Sequence, residues 1–337
     1  MTPIPRKVSR RASQKVSRRG LIAMGGLALV GATGMAGSSV VTPGQARSAV
    51  VAGRQRGGAP LDAGRIQWGE DPDRQWGRLF LPDPAHWSAN RQRPAYPVVV
   101  FFHGGGWTDK SSPSYCETVA RDLARYGVAV WLPTYRGTPD PGGWPMTFDD
   151  VSDGLDFVER LGEHADFTPD LDRVHVTGHS AGGHLAAWVA AREQLPPSMP
   201  GGGRPGGTGR IRVRSTTSLA GVLDLEKAVN EDRDHWVVDV LGGRPEEVPD
   251  RYQAMSPIDR LPLELPVNVL HGRADSVVPV ATLRDYLEKH TTTGNPGRVV
   301  LMDGVEHQDF VNVRHRAWAA ARQVCLTSVG PQPSART

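Results

Sequence analysis

The fold of this chain is decided by residues 174–184, which read VHVTGHSAGGH. The apolar segment 174–177 predicts a buried strand, and the next five residues have the form Gly-x-Ser-x-Gly and lead directly into a helical pattern. Glycines at 178 and 182 suit a turn so tight that a Cβ would strike neighbouring backbone. A strand that turns into a helix at a serine raises the hydroxyl into a cleft, so Ser180 is the candidate nucleophile.

Strand patterns and helical patterns alternate along the chain on both sides of this stretch. Short apolar runs predict eight strands, at 65–68, 78–81, 98–102, 128–132, 174–177, 214–220, 267–270 and 299–302. Apolar residues at helical spacing predict helices at 114–126, 181–192, 280–290 and 310–326. Another helix is expected to open at Thr147, with Asp150 three residues on as in a capping box. The alternation predicts an α/β fold with a mostly parallel central sheet and helices on both faces.

The pattern indicates one catalytic domain over residues 63–328, without internal repeats. Segment 222–262 has helical patterns and no strand, so we expect a small helical cap insertion over the carboxyl edge of the sheet. Segment 196–209 is rich in glycine and proline and predicts a flexible excursion. We expect residues 47–62 to form a flexible lead-in and residues 329–337 a disordered tail.

A second glycine-rich motif, His103-Gly104-Gly105-Gly106-Trp107, follows the predicted strand 98–102. Glycines let backbone amides approach a substrate closely, and preorganised N–H donors stabilise the oxyanion of a tetrahedral intermediate. The candidate donors are the amides of Gly105, Gly106 and Ala181. His103 is expected to shape this loop through hydrogen bonds and not to act as a base.

Two further motifs follow the last two predicted strands and supply the partners of Ser180. Asp275 lies in the loop after strand 267–270, and His307 lies in the loop after strand 299–302. The order Ser180, Asp275, His307 is that of the fold in which a nucleophile elbow carries the serine. We therefore predict that Asp275 orients the imidazole of His307, which serves as general base.

Other residues compete for these roles. The alternative bases are His179 and His184, which flank Ser180, and the alternative acids are Asp303, Glu306 and Asp309, which flank His307. The sequence contains no H-E-x-x-H or C-x-x-C spacing, so it predicts no metal site. Acyl transfer by this set of residues requires no cofactor.

Four aromatic residues are candidates for the substrate pocket: Trp107, Trp144, Trp236 and Phe310. Core packing is the alternative for each of them. An aromatic-lined pocket would favour a small acyl or aryl ester.

The net charge of +3 arises from the first 46 residues, which hold seven basic side chains and no acidic ones. The remainder is mildly acidic, so no nucleic-acid partner is expected. Ser17-Arg18-Arg19-Gly20-Leu21-Ile22 has the twin-arginine form, and residues 1–46 are predicted to be an export signal. The apolar stretch 21–41 is rich in glycine and alanine, too weakly hydrophobic for a stable membrane anchor. We therefore expect secretion, with the oligomeric state left open.

The two cysteines, Cys116 and Cys325, lie on helices that should pack against the same face of the sheet. They are either two buried free thiols or a disulfide that an exported protein could keep.

From residue 65 to the last helix, the chain resembles the α/β-hydrolase superfamily. Its elbow, triad order and HGG loop are similar to those of hormone-sensitive-lipase-like esterases, kynurenine-formamidase-like enzymes and prolyl-oligopeptidase-like hydrolases. Residues 103–107 satisfy both the HGGG form of the esterases and the HGGxW form of the formamidases. His179 departs from the lipase-like pattern, where many relatives have an acid before the serine. The residues before 65 show no pattern of a propeller-sized domain, so we do not expect the usual gate of a prolyl-oligopeptidase-like peptidase.

The resemblance implies a serine hydrolase that cleaves carboxylic esters of small molecules through an acyl-enzyme intermediate, and the predicted signal at residues 1–46 implies that it is exported. An arylformamidase, an amidase or a peptidase-like hydrolase is the alternative. A non-catalytic binding protein on the same fold is a third possibility, which the complete triad argues against.

Overall fold

A computed structural model describes residues 60–82, 95–139, 141–203, 210–230 and 235–330, and the structural statements below concern these ranges. Eight strands form one sheet in them. They are β1 (Leu61–Gln67), β2 (Trp76–Leu81), β3 (Ala95–Phe102), β4 (Ala129–Pro133), β5 (Thr168–His179), β6 (Val213–Leu219), β7 (Val267–Gly272) and β8 (Val299–Met302). The order across the sheet is β1-β2-β4-β3-β5-β6-β7-β8. The β1–β2 and β2–β4 pairs are antiparallel, and every other pair is parallel.

Helices cover both faces of the sheet. In the described ranges they are α1 (Glu117–Ala124), α2 (Met146–Asp156), α3 (Ala181–Val189), α4 (Leu225–Asn230), α5 (His235–Leu241), α6 (Pro249–Met255), α7 (Pro257–Arg260), α8 (Arg284–Thr292) and α9 (Arg316–Ser328). Helices α4 to α7 all lie between β6 and β7, in the segment where the sequence predicts a helical insertion. None of the described helices is long and apolar enough to span a membrane.

The central strand β3 shows why the sheet is buried on both sides. Val98, Val100 and Phe102 pack into one apolar cluster. Val99 and Phe101 pack into a second cluster on the opposite face. Side chains alternate between the two faces of a strand, so a strand covered on both faces must be apolar at every position. This continuous run is the pattern that predicts a covered parallel sheet.

The predicted α/β architecture is confirmed, with corrections at element ends. The first strand begins at Leu61, so residues 61 and 62 belong to the sheet and not to the lead-in. The predicted helix 114–126 is a 3₁₀ turn over Pro113–Cys116 followed by α1. The predicted helix 310–326 is likewise a 3₁₀ segment, His307–Val311, followed after a break by α9.

The capping box predicted for Thr147 and Asp150 is wrong. Helix α2 begins at Met146, with Pro145 as its cap residue. The hydroxyl of Thr147 donates to the carbonyl oxygen of Arg136 at 2.6 Å instead. The carboxylate of Asp150 is buried and accepts hydrogen bonds from Arg136 and Gln75. Tertiary contacts therefore use the side chains that the local pattern assigned to a helix end.

Several predicted segments fall wholly or partly outside the described residues. They are the signal at 1–46, most of the lead-in, residues 204–209 of the glycine-rich excursion and the tail from 331 onward. Within the excursion, hydrogen-bonded turns order residues 196–203, including the amide of Gly203 to the carbonyl of Leu195.

Cys116 and Cys325 are both buried and unpaired in the structure. Both lie in the same apolar cluster, on the face of the sheet that carries α1 and α9. The structure therefore has two free thiols, and burial raises the pKa of both, that of Cys325 to about 12.

Candidate active site

Ser180 is the single residue between the end of β5 and the start of α3, at the carboxyl edge of the sheet. Its backbone has φ +58° and ψ −122°, a left-handed conformation that costs energy for a residue with a Cβ. A hydrogen bond from its amide to the carbonyl of Leu219 at 2.9 Å holds the turn. A Cβ on Gly182 would lie 2.1 Å from the carbonyl oxygen of Phe102, so only glycine allows the helix to approach β3 this closely. The packing thus maintains a strained serine at the mouth of a cleft.

The carboxylate of Asp275 is held from both sides. Its Oδ1 accepts hydrogen bonds from the backbone amides of Val277 and Val278 at 2.9 and 2.8 Å. Its Oδ2 lies 2.7 Å from Nδ1 of His307. Burial by itself raises the pKa of Asp275, but the hydrogen bonds from His307 and Val278 outweigh it and lower the pKa below 3.8. An ionised carboxylate accepts the Nδ1 proton, which leaves Nε2 of His307 as the basic nitrogen.

Ser180 and His307 line the same cavity, which has a volume of about 550 Å³. The structure also brings the predicted oxyanion donors Gly105, Gly106 and Ala181 to this cavity. Eight further residues complete its wall: Trp107, Tyr115, His179, Val222, Trp236, Val277, Val278 and Gln308. One cavity therefore holds the serine, the histidine and the candidate donors.

In the oxyanion loop, residues 103–107, the amides of Gly105 and Gly106 point away from the carbonyl groups that hydrogen bonds hold in place. Gly105 has φ +112°, and its carbonyl accepts the hydroxyls of Ser111 and Thr108 at 2.8 and 2.9 Å. The C=O and N–H of a trans peptide point in opposite directions, so this anchoring turns the amide of Gly106 the other way. Within the described ranges, neither the Gly105 nor the Gly106 amide donates to a protein acceptor. Ala181, the first residue of α3, has no intrahelical acceptor for its amide.

His103 and Trp107 hold the two ends of the oxyanion loop. The His103 ring stacks on Tyr135 with centroids 4.4 Å apart, and its Nδ1 lies 2.9 Å from the carbonyl of Gly104. The Trp107 carbonyl accepts the amide of Thr138 at 2.8 Å. Its indole N–H donates to Nδ1 of His184 at 3.1 Å. These contacts fix the loop to the segment that follows β4 and to α3.

The competing bases and acids have other partners. His184 is fully buried, with Nδ1 against Trp107 and Nε2 3.0 Å from the carbonyl of Met255. Asp303 is exposed and pairs with Arg273, and Asp309 with Glu306 caps the 3₁₀ segment that begins at His307. None of these three carboxylates contacts the imidazole of His307 in the described structure.

The four predicted pocket aromatics occupy different environments. Trp236 is 39 % exposed, lines the cavity and lies over Gly106. Trp107 borders the cavity, although its indole is buried.

The prediction that Trp144 and Phe310 line the pocket is wrong. Trp144 packs against the main core and lies under the guanidinium of Arg251. Phe310 is fully buried in the second apolar cluster. Phe310 lies in the 3₁₀ segment that begins at His307 and is buried in the core, while His307 itself lines the cavity.

Sequence reasoning missed Tyr115 and His271 as parts of the site and considered His179 only as an alternative base. The hydroxyl of Tyr115 accepts the amide of Gly104 at 2.6 Å. Nε2 of His271 lies 2.7 Å from the carbonyl of Val278 and 3.5 Å from the Asp275 carboxylate, so it braces the acid loop. The only available sequence signal was the placement of polar aromatic residues next to recognised motifs.

The buried histidines make a prediction about acid stability. Burial lowers the pKa of His103 and His184 to about 4, and that of His175 and His179 to about 3, from 6.5. Between pH 6.5 and these lowered pKa values, the unfolded chain binds more protons than the folded protein. The contribution of the four histidines to the free energy of unfolding is therefore fully present above pH 6.5 and is lost as the pH decreases. Each histidine contributes up to about 1.4 kcal/mol per pH unit. Melting curves from pH 8 to pH 4.5 should show Tm constant at first and then decreasing; a constant Tm would contradict the prediction.

A comparison with known protein families identifies the family of this chain. Residues 86–289, more than half of its length, match the BD-FAE family. The chain belongs to the BD-FAE family.

Curated relatives of this BD-FAE chain include three proteins with esterase names. Esterase LipC of Mycobacterium tuberculosis is 27 % identical over 262 residues, which cover 74 % of this chain and 60 % of the relative. Esterase LipQ of the same organism is 29 % identical over 197 residues, covering 56 % and 44 %. Carboxylesterase 20 of Arabidopsis thaliana is 36 % identical over 127 residues, covering 35 % and 36 %. The aligned part of this BD-FAE chain therefore spans between about a third and three fifths of these relatives.

Solved structures support the fold. Esterase B from Lactobacillus Rhamnosis superposes with a TM-score of 0.63 at 22 % identity, covering 80 % of this BD-FAE chain and 84 % of that chain. A bifunctional GH43-CE protein from Bacteroides eggerthii gives a TM-score of 0.66 at 22 % identity, covering 80 % and 39 %. At these identities the similarity shows the α/β-hydrolase fold alone.

Proposed function

We propose that this protein hydrolyses carboxylic esters of small molecules through a Ser180–His307–Asp275 triad and an acyl-enzyme intermediate. The observation that carries the proposal is the 2.7 Å contact between His307 Nδ1 and Asp275 Oδ2, at the wall of the cavity that also holds Ser180. The esterase names of the curated relatives support the same reaction class.

The geometry supports a two-step acyl transfer. His307 Nε2 takes the hydroxyl proton of Ser180 as Oγ attacks the ester carbonyl carbon, and the carbonyl electron pair moves onto its oxygen. The amides of Gly105, Gly106 and Ala181 stabilise this oxyanion, each by about 3–4 kcal/mol. The bond to the alcohol breaks, and the alcohol leaves with the proton from His307.

A water molecule completes the catalytic cycle by hydrolysing the acyl-enzyme. His307 takes a proton from the water as its oxygen attacks the acyl-enzyme carbonyl, and the proton then returns to Ser180 as the acid leaves. Asp275 stabilises the imidazolium in both steps and remains ionised. Every proton transfer is served by side chains of this chain, so the reaction needs no cofactor.

The lining of the cavity favours an apolar acyl or aryl group. Val222, Val277 and Trp236 contribute apolar surface around Ser180, and the carboxylate of Asp275 is buried below the rim. Binding sites for small molecules combine such walls with a few oriented polar groups. We therefore infer a small acyl or aryl ester as substrate.

A pair of chromogenic assays tests the ester proposal. Purified protein should hydrolyse p-nitrophenyl acetate with a kcat in the ordinary enzyme range of about 1–10³ s⁻¹ and should show a burst of p-nitrophenol if deacylation is slow. N-formylkynurenine, assayed in parallel, should be turned over at least about tenfold less efficiently, a difference of about 1.4 kcal/mol in the barrier. Efficient turnover of N-formylkynurenine with slow ester hydrolysis would favour a formamidase and contradict the proposal.

We also propose that the protein is exported through the twin-arginine pathway. The support is the Ser17–Ile22 motif and the absence of acidic residues from positions 1–46. Changing both Arg18 and Arg19 to lysine should leave the protein in the cytoplasmic fraction of the producing cells. Unchanged secretion of that variant would contradict the proposal.

A further inference from the structure

A chain of hydrogen bonds joins the His307 segment to the oxyanion loop. Nε2 of His179 lies 2.9 Å from the backbone carbonyl oxygen of His307. Nδ1 of the same ring lies 3.2 Å from the hydroxyl of Tyr115. That hydroxyl lies 2.6 Å from the backbone nitrogen of Gly104. We call these three hydrogen bonds the cross-cleft chain; they connect three segments that are distant in sequence.

The chemistry of the end groups fixes the direction of every bond in the cross-cleft chain. The His307 carbonyl can only accept, so Nε2 of His179 carries a proton and donates it. The Gly104 amide can only donate, so the oxygen of Tyr115 accepts from it. Tyr115 then directs its own proton to Nδ1 of His179, which must accept. The chain closes without an unpaired donor only if His179 is the neutral Nε2–H tautomer.

The surroundings of His179 favour this neutral form. The side chain is 1 % exposed, and its ring centroid lies 4.7 Å from that of His307. Burial and the nearby His307 lower the pKa of His179 to about 3. A second cation beside the imidazolium that forms on His307 would raise the barrier, so a neutral donor suits this position.

We propose that His179 and Tyr115 are positioning residues that hold the general base and the oxyanion loop in register through the cross-cleft chain. The His307 backbone is fixed at its carbonyl by His179, while its side chain is fixed at Nδ1 by Asp275. Gly104, which immediately precedes the two glycine donors, is fixed at its amide by Tyr115. Displacing either segment by about 1 Å would cost catalysis about a hundredfold. The inference rests on the proposed ester hydrolysis.

The residues that the cross-cleft chain connects are closely packed around Gly104. A Cβ on Gly104 would lie 2.6 Å from the carbonyl of His179 and 2.8 Å from both the Ser180 Cβ and the Tyr115 hydroxyl. The oxyanion loop, the elbow and Tyr115 are therefore packed in direct contact. A change at Tyr115 or His179 therefore acts directly on segments that carry the candidate catalytic groups.

Substitutions at His179 test the direction of the cross-cleft chain. His179→Ala, which removes both bonds, should lower kcat for p-nitrophenyl acetate by about 10- to 100-fold, with KM changed by less than about threefold. His179→Gln keeps an N–H donor near the position of Nε2 and should recover most of the loss. His179→Asn reaches only the Tyr115 side and should recover less than His179→Gln.

Tyr115→Phe tests whether the two residues act as one unit. The variant removes the acceptor of the Gly104 amide and should lower kcat by about tenfold. The double variant Tyr115→Phe/His179→Ala should lose about as much as the more impaired single variant, since residues in one network are not additive. Losses that multiply would mean that the residues act independently and would overturn the coupled chain.

His175 provides a matched control. It is a histidine on the same strand β5, it is fully buried, and burial also lowers its pKa to about 3. Its Nδ1 bonds to Ser215, and it does not line the cavity. His175→Gln should lower Tm but leave kcat within about threefold of the wild type, as expected for a stability effect alone. A loss of kcat in His175→Gln as large as that in His179→Ala would reduce the role of His179 to stability and overturn the proposal.

A readout independent of turnover separates this inference from the ester proposal. Nitrogen–proton NMR correlation of the imidazoles should show His179 as the Nε2–H tautomer with an unprotonated Nδ1, from pH 8 to pH 5. An Nδ1–H tautomer, or a cationic ring at pH 5, would overturn the cross-cleft chain. A wild-type protein that shows the expected tautomer but hydrolyses no ester would contradict only the proposed function.

Discussion

Replacing Ser180 with alanine should lower kcat for p-nitrophenyl acetate by about 10⁴–10⁶-fold while the protein stays folded. The hydroxyl is the only nucleophile that the elbow presents to the cavity. Without it, no group of the elbow can attack the ester carbonyl and accept the acyl group. Alanine retains the Cβ, so the backbone conformation and the packing of α3 are preserved. Initial rates and a melting curve on the same preparation measure both parts of the prediction.

Ser180→Gly is the matched control for this variant. It should be as inactive as Ser180→Ala, because both lack the hydroxyl. Glycine tolerates φ +58° and ψ −122° without a Cβ clash, so Ser180→Gly should be more stable than Ser180→Ala by about 1 kcal/mol. Ester hydrolysis that survives in either variant at more than about a tenth of the wild-type rate, a barrier change of only 1.4 kcal/mol, would show that the nucleophile is misassigned.

Asp275→Asn should lower kcat by about 10⁴-fold with little change in fold. The amides of Val277 and Val278 both donate to Oδ1, so the asparagine must place its carbonyl oxygen there. Its NH₂ group then faces Nδ1 of His307, which has to accept instead of donate. The proton of the neutral imidazole moves to Nε2, and the nitrogen that should take the serine proton is no longer basic.

Asp303→Asn is the control for the acid. Asp303 is nearer than Asp275 to His307 in sequence, but it is exposed and pairs with Arg273. This variant should keep kcat within about twofold of the wild type, as is usual for an exposed substitution. The measurement is kcat from pH 5 to pH 9 for both variants. A larger loss in Asp303→Asn than in Asp275→Asn would exchange the two assignments.

The sheet was predictable because burial on both faces leaves a strong pattern in the sequence. All eight strands overlap segments that the sequence predicts as strands, and Val98 to Phe102 shows the reason, since its residues alternate between two cores. Strand and helix ends were less predictable. The carbonyl of Arg136 recruits the hydroxyl of Thr147, and this contact between segments overrides the local capping preference.

The candidate site was predictable where chemistry requires a particular residue in a particular setting. A serine at a strand-to-helix turn, a glycine loop after β3, and an aspartate and a histidine after the last two strands follow from the order of the elements. The pocket wall was less predictable, because an aromatic residue suits a core as well as a cavity. Trp144 packs against one core cluster and Phe310 lies in the other, and only the packing of distant segments decides which aromatic residue reaches the cavity.

The sequence by itself determined the class of fold and indicated the candidate nucleophile and the order of its candidate partners, since periodicity and short motifs are local properties of the chain. Only the tertiary structure decided what His179 contacts. Its two ring nitrogens bond to His307 and Tyr115, which are 128 and 64 residues away. The direction of those bonds depends on which groups meet across the cleft, and burial of the ring away from water keeps it neutral. A contact of this kind has no local pattern, because it exists only when distant segments pack together.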